Sequence, residues 1–430
     1  MLFWLVLVNI IAALLNKSSL LFAQRLDLLS RMLKIIKGFV FLSLLTIACF
    51  NALILLIPPF LLLSVHSKRV IRWRRAWADV VSGIFLDFAS ALHIKFCGTK
   101  IFIYSTSKEV LTDKGALIIC NHRCRVDWMY AGWCYAHLTG QSPQLRVVLK
   151  ESLRSVPLFG WAMQILIYIF LDRRRDMDLQ HIERSLGYLL YSGERPTVFL
   201  FPEGTDLSPS NVIKNTEYAQ KNGLPEWKYV LLPKPSGLQS CLSTLWGHEA
   251  PVHDTTIAYK DFRSGQRPTE NALLRGEFPK EIHLCVKRYA PDSIHTDRPM
   301  LERWLKGSFA KKERLLKSFY ENGSCVLTTD PFAPQPSSSS PQKAKQNDEL
   351  WPPLLATTVD TWRPLYVMVL LVALNSFMLI YFSWMRYIVT IMVLACVASR
   401  LVGGIDKMEL ALHGDMLIAE GKKLQKGKED

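Results

Sequence analysis

Residues 116–128 read ALIICNHRCRVDW. The first five are apolar and suit a buried strand; Asn121 and His122 follow at once, and Asp127 opens an apparent helix. A strand that exits through a polar turn into a helix is the repeating unit of an open α/β sheet, and such sheets place their sites at the carboxyl ends of strands. His122 stands at that position. On one straight helix His122 and Asp127 would not share a face. They meet if His122 lies in the turn and Asp127 in the first helical turn. The carboxylate then accepts a hydrogen bond from one ring nitrogen, fixes the tautomer and keeps the other nitrogen basic. Such an imidazole can take the proton of a hydroxyl near neutral pH. With 10 His in the chain, a His-x4-Asp spacing also arises by chance, and Asp127 alone would serve as a helix N-terminal charge. Cys124 lies close by as a possible nucleophile, but only His122 is near enough to activate it.

Outward from this stretch, short β-rich runs alternate with helical ones. Strands are expected at 99–105, 115–120, 145–149, 167–171, 196–201, 228–232, 255–259 and 280–287, and helices at 126–138, 176–192 and 300–319. The expected class is α/β: a mixed sheet flanked by helices over residues 96–325. Three more strand ends carry polar groups. Thr197–Leu200 runs into Phe201-Pro202-Glu203-Gly204-Thr205. Gly204 permits a tight turn with exposed N–H groups and Thr205 adds a hydroxyl, so the turn can hold a phosphate; Glu203 is expected to orient an Arg or a hydroxyl. Ile165–Leu171 runs into Asp172-Arg173-Arg174-Arg175, where Arg suits bidentate phosphate binding. Val230-Leu231-Leu232-Pro233 is followed by Lys234. Each of the three is weak alone, being equally an ordinary strand exit or a solvated basic loop.

On either side of this domain the chain turns apolar. Residues 1–15 are apolar with no basic residue before them, which makes a membrane-embedded segment about as good a reading as a signal peptide. Residues 38–65 are long enough to span, but Asn51 and Pro58-Pro59 interrupt them, so one kinked span and a re-entrant hairpin both remain open. Basic residues flank them on both sides: Arg25, Arg31, Lys34 and Lys37 before, Lys68, Arg69, Arg72, Arg74 and Arg75 after. A hairpin with both ends in the cytosol would explain both clusters, and Trp73 and Trp77 beside the second suit an anionic headgroup layer. Residues 330–350 read as a disordered linker, 365–384 as a second span, and 387–399 as a run short enough to require tilting or snorkelling. The expected division is therefore 1–95 membrane-embedded and juxtamembrane, 96–325 catalytic, 326–360 linker, 361–403 membrane helices and 404–430 a basic tail. Lys426 and Lys428 stand third and fifth from the end, as in a dilysine retrieval signal of the endoplasmic reticulum or in a merely solvated tail.

Composition narrows the chemistry. The 430 residues are 50% hydrophobic with a net charge of +15, which suits an anionic partner: nucleic acid, an acidic membrane face or a phosphorylated substrate. Nine Cys with no CxxC pair argue against a zinc site or a disulfide framework. No P-loop, GxSxG elbow, GxGxxG, HExxH or kinase HRD set occurs, which removes the common nucleotide phosphotransferases, serine hydrolases and zinc peptidases.

The four strand-end pieces, in this order, resemble the glycerolipid acyltransferase superfamily. NHx4D is matched by Asn121-His122 to Asp127, the apolar run ending in Arg by Phe170-Leu171-Asp172-Arg173, FPEGT by 201–205, and the apolar run with Pro by 230–233. NHRCRVDWMY, VPLFGWAMQ, FPEGTDL, EWKYVLLPKPSG, VHDTTIAY and FPKEIH place the likeness nearest the lysocardiolipin and lysophosphatidylinositol acyltransferase branch, over roughly residues 35–325. Cys124 stands where many members have Ser or Thr, three consecutive Arg surround Arg173, and Lys234-Pro235 replace apolar residues.

The resemblance implies an α/β domain on a membrane-embedded N-terminal helical motif, with C-terminal transmembrane helices, in a multi-pass protein of the endoplasmic reticulum membrane. It implies acyl-CoA as co-substrate with no bound cofactor or metal, and an anionic lysophospholipid as acceptor: lysophosphatidic acid, lysophosphatidylinositol, lysophosphatidylglycerol or lysocardiolipin. His122 would be the base and Asp127 its orienter. Arg173, with Glu203, Gly204 and Thr205, would hold the acceptor phosphate. Arg125 and Lys150 are lesser anion candidates, and Trp161 would help present acyl chains. Acylation of glycerol 3-phosphate or another small alcohol, and a non-catalytic protein that binds anionic lipid, are the competing readings.

Overall fold

The computed structural model describes residues 2–105, 107–172, 175–260, 267–321, 353–356, 361–414 and 418. Helices α1 (Leu2–Leu56) and α2 (Lys68–Leu92) form an antiparallel hairpin around a 3-10 turn at Pro58–Leu62. Its direction is fixed at both ends: the Trp77 indole N–H donates to Leu55 O at 2.8 Å, and Lys37 Nζ donates to Cys97 O at 3.3 Å. The chain then runs β1 (Lys100–Tyr104), β2 (Ala116–Cys120), a wide π-helical turn at Trp128–Trp133, α3 (Cys134–Leu138), β3 (Leu145–Lys150), α4 (Phe159–Ile165), β4 (Ile169–Leu171), α5 (Arg175–Tyr191) and β5 (Thr197–Leu200). It continues through α6 (Pro209–Lys221), α7 (Pro235–Leu245), β6 (Val252–Lys260), α8 (Glu270–Leu274), β7 (Glu281–Tyr289), α9 (Arg298–Glu321), β8 (Pro353–Ala356), α10 (Trp362–Tyr381), α11 (Ser383–Ala398) and α12 (Ile405–Glu409).

The eight strands among the described residues form one mixed sheet in the order β4-β3-β5-β2-β6-β7-β1-β8. β4, β3, β5, β2 and β6 are parallel; β7 is antiparallel to β6, β1 is parallel to β7, and β8 is antiparallel to β1. Alternation along each strand sorts the core into two layers. Ala116, Ile118, Cys120, Phe199, Ile257 and Tyr259 face the hairpin layer, with α1, α2, the π-helical turn and α4. Leu117, Ile119, Val198, Leu200 and Ala258 face α5, α7 and α9. β2 lies central and buried on both faces, so its end at Asn121 is the most enclosed exit of the sheet.

Five expectations need correction. Residues 228–232 form no strand: Glu313 accepts the N–H groups of Lys228, Tyr229 and Val230, Glu203 that of Leu231, and Asn215 that of Leu232. With those donors taken by side chains, none is left for a ladder. The segment 38–65 is only one arm of the hairpin, and the other arm is α2, whose charged opening KRVIRWRR conceals it. The two basic clusters therefore lie at opposite ends of the hairpin, which does not bring both to one side, and in the second cluster Arg74 and Arg75 turn inward to Glu409 and Glu194 rather than outward to a headgroup layer. The apolar run 387–399 belongs to a helical stretch Ser383–Val402 of 20 residues, long enough to span without special tilting. Within the expected linker 326–360, Pro353–Ala356 pairs with β1 as an edge strand. Of the expected tail 404–430, residues 405–414 are folded against the α/β domain; Lys426 and Lys428, like 330–350, lie outside the described residues.

Among the described residues, four helices are long and apolar enough to cross a membrane: Gln24–Phe60, Lys68–Cys97, Trp362–Tyr381 and Ser383–Val402. α10 is tied to the hairpin where Asn375 Nδ2 donates to Asn51 Oδ1 at 2.9 Å, both side chains being buried. Asn51 Nδ2 is already satisfied by Ile47 O at 2.8 Å, so its Oδ1 is the acceptor left for the Asn375 amide, and the pair fixes which face of α10 meets α1.

Candidate active site

β2 delivers Asn121 and His122 to the top of the sheet. Asn121 spans sideways to β6: its Nδ2 donates to Ile257 O at 3.2 Å and its Oδ1 accepts from Ile257 N at 2.7 Å. That two-way amide bond continues the ladder one residue past the strand and stops the turn from drifting. The chain then doubles back so that Asp127 comes under the His122 ring. His122 Nδ1–H donates to Asp127 Oδ2 at 3.0 Å, the tautomer following from the partner. The ring lies flat on Phe201, with centroids 4.0 Å apart, and its side chain is 16% exposed. Nε2 makes no hydrogen bond among the described residues, so it is the nitrogen left for a substrate.

Asp127 is fully buried and its carboxylate is saturated. Oδ2 also accepts from Cys124 N at 2.9 Å; Oδ1 accepts from Tyr259 OH at 2.6 Å and from the Cys124 thiol at 2.8 Å. Burial alone would raise its pKa, but the hydrogen bonds from His122, Cys124 and Tyr259 win, and the carboxyl is held below its usual range. The same burial, together with the Asp127 charge, pushes the Cys124 thiol well above its usual value. A thiol that donates to a carboxylate and resists ionisation is a poor nucleophile. Tyr259 escaped the sequence reading. The only signal for it was its place at the end of VHDTTIAY, without any motif.

The FPEGT turn packs beside His122. Both oxygens of Glu203 are occupied: Oε1 accepts from His122 N at 2.8 Å and Oε2 from Leu231 N at 3.0 Å. Glu203 therefore clamps two backbone segments rather than orienting an Arg or a hydroxyl, which corrects that expectation. Burial pushes its pKa up to about 8 against the pull of those two N–H groups. Gly204 has φ +71 and stands exposed at the turn, with Lys234 Nζ 3.7 Å from where a Cβ would lie. Thr205 Oγ1 accepts from Asn211 Nδ2 at 2.8 Å, which fixes its hydroxyl at the start of α6. Lys234, which follows the fourth apolar run, is thus the cation over the FPEGT turn, and its own N–H holds Pro202 O at 2.8 Å.

The remaining cations divide. Arg125 is 68% exposed and stands 3.7 Å from both Asp206 and Glu270, so it is free to swing. Lys150 is exposed at the end of β3, in register with Leu171 of β4. Arg173 lies just beyond β4 and outside the described residues. Trp161 is buried in α4, in the layer shared with the hairpin.

Residues 102–227 match the family model Acyltransferase, and residues 272–351 match Acyltransferase C-terminus. The chain is 32% identical to lysocardiolipin acyltransferase 1 of Gallus gallus over 88% of this chain and 94% of that one. It belongs to the glycerolipid acyltransferase superfamily. This acyltransferase is also similar to lysophosphatidylinositol acyltransferase 10 of Caenorhabditis elegans, at 30% identity over 57% of this chain and 60% of that one. Among solved structures, the 1-acyl-sn-glycerophosphate acyltransferase of Thermotoga maritima aligns with a TM-score of 0.41 at 16% identity, covering 69% of this chain and 97% of that one. Its apolar helices make the acyltransferase a membrane protein.

Proposed function

We propose that this acyltransferase moves a fatty acyl group from acyl-CoA to the free hydroxyl of an anionic lysophospholipid, of the lysocardiolipin, lysophosphatidylinositol or lysophosphatidic acid class. One observation carries the reading: an imidazole with Nδ1 held by a buried carboxylate and Nε2 free, at the end of a central strand that abuts an apolar helical hairpin. Nε2 takes the acceptor's hydroxyl proton as its oxygen attacks the thioester carbonyl. The C–O bond forms, the C–S bond breaks, and coenzyme A departs as its thiol once the proton returns from Nε2. Asp127 stabilises the transient imidazolium. The thioester is activated already, so the step asks for no metal. Arg173 and the FPEGT turn with Lys234 are assigned to the acceptor phosphate, with Arg125 and Lys150 as further anion contacts. The membrane helices present the apolar chains, in a multi-pass arrangement in the endoplasmic reticulum.

Washed membranes holding the enzyme, given radiolabelled acyl-CoA and a panel of lysophospholipids with glycerol 3-phosphate as control, test this directly. Transfer to one or more lysophospholipids is expected. His122→Ala should lower it by about 10²-fold or more, the scale of a lost general base. Transfer to glycerol 3-phosphate alone, or full activity of the His122→Ala variant, rejects the reading.

A further inference from the structure

Arg123 follows His122 directly, yet it leaves on the other side of the sheet. Its guanidinium lies 4.3 Å from the ring centroid of Tyr320, near the end of α9. The residue is 3% exposed, and Nε and Nη1 are buried without a hydrogen-bond acceptor among the described residues. The nearby carboxylate of Glu313 is already committed to the N–H groups of residues 228–230. The aromatic ring offsets part of the desolvation of the guanidinium, but a buried Arg with open donors is costly until an acceptor completes it. An arginine left in this condition one residue from the reacting imidazole is a binding group awaiting an anion.

We infer that Arg123 binds a phosphate oxygen of the nucleotide half of acyl-CoA. This rests on the proposed acyl transfer. Two features favour the thioester over the acceptor as the source of the phosphate. His122, Asp127 and Phe201 belong to the layer that faces the membrane hairpin, where an acceptor anchored in the bilayer presents its hydroxyl. Arg123 lies in the opposite layer, against α9, on the side of the sheet away from the apolar hairpin, the side that suits the water-soluble head of coenzyme A rather than a bilayer-anchored acceptor. On the same stretch of α9, Arg314 and Lys317 are exposed and add positive potential for a polyanion.

Steady-state kinetics of full-length Arg123→Gln in membranes, with both substrates varied, is the test. The KM for acyl-CoA should rise about ten-fold or more, the size of one lost charge-assisted hydrogen bond, while the KM for lysophospholipid stays within about two-fold. With the same acyl group carried on pantetheine, which lacks every phosphate, variant and wild type should react alike. Arg123→Lys keeps the charge and should recover part of the acyl-CoA affinity, separating loss of binding from loss of folding. A larger effect on the lysophospholipid KM, or an equal penalty with acyl-pantetheine, overturns the assignment. Equilibrium binding of 3′,5′-ADP to the purified protein reads the site without turnover: binding at least about ten-fold weaker in Arg123→Gln upholds it even if no lysophospholipid proves to be acylated, and equal binding rejects it.

Discussion

At the scale of single residues, the site is governed by one saturated carboxylate. Asp127 receives four donors, and the Cys124 thiol is one of them. A serine hydroxyl can make the same bond to Oδ1, so Cys124→Ser should keep kcat within about three-fold; the loss of one replaceable hydrogen bond is all that is at stake. A drop of several orders in single-turnover assays would instead revive a covalent thiol route. Glu203 behaves differently because it is a buried acid with only backbone partners. Its folded pKa of about 8 exceeds that of an exposed carboxyl, so the folded state holds the proton more tightly. The stability it contributes is complete below the unfolded value and is lost as pH rises through about 8. Thermal denaturation of the detergent-solubilised enzyme should therefore show a falling midpoint between neutral and alkaline pH, and Glu203→Gln should flatten that slope. An unchanged slope would mean that Glu203 is ionised throughout. His122 and Asp127 were legible in the sequence because a motif marks them. Tyr259 and Arg123 were not, because what selects them is contact across the sheet: Tyr259 reaches Asp127 from β6 and Arg123 reaches Tyr320 on α9.

At the scale of elements, the alternation of apolar runs placed seven of the eight strands, and their order along the chain implied a mixed sheet. It failed at 228–232 because period and hydrophobicity cannot tell whether the N–H groups will find a neighbouring strand or a carboxylate. Three consecutive N–H groups on Glu313 amount to an anion site filled from within the chain, similar to a helix N-terminus capped by an acid. Glu313→Ala removes that acceptor and leaves the buried Tyr229 and Val230 amides open, at about 1–3 kcal/mol for the larger deficit. The segment also carries Leu231, which holds Glu203, and leads into Lys234 over the FPEGT turn. Hydrogen exchange should accordingly quicken at 228–232 and spread to 201–205 in Glu313→Ala, with less change in the distant strand β1. Exchange confined to α9 would show that the cap is only local. That α2 is the second arm of the hairpin was missed for a related reason. Its first turns carry five Lys or Arg between residues 68 and 75, which reads as a surface cluster, whereas two of these guanidinium groups are consumed inside the protein.

At the scale of the whole molecule, membrane helices and catalytic domain are joined by buried charges rather than by linkers. Arg75 and Arg146 share Glu194, with bonds of 2.6 and 2.5 Å, and Arg146 also meets Asp79 of α2 at 2.5 Å. This network fastens the hairpin to the sheet near the start of β5. The segment after α11 returns to make a second fastening: Asp406 pairs with Arg154, and Glu409 takes Arg74 at 2.9 Å and Tyr188 OH at 2.5 Å. Glu409 thus connects α2, α5 and the C-terminal segment at one point. Removing it leaves a buried guanidinium without a counter-charge, a change that costs about 3–5 kcal/mol, whereas replacing both members by apolar residues of similar size is close to neutral. Glu409→Met should therefore lower the melting temperature of the solubilised enzyme sharply, and Arg74→Met with Glu409→Met should recover much of the loss. If the network only adds stability, acyl transfer by the double variant at low temperature should match wild type. If it also sets the distance between the hairpin and His122, the double variant should melt normally yet transfer acyl groups slowly from long-chain thioesters and at the ordinary rate from short ones, since only the long chains need the hairpin in register.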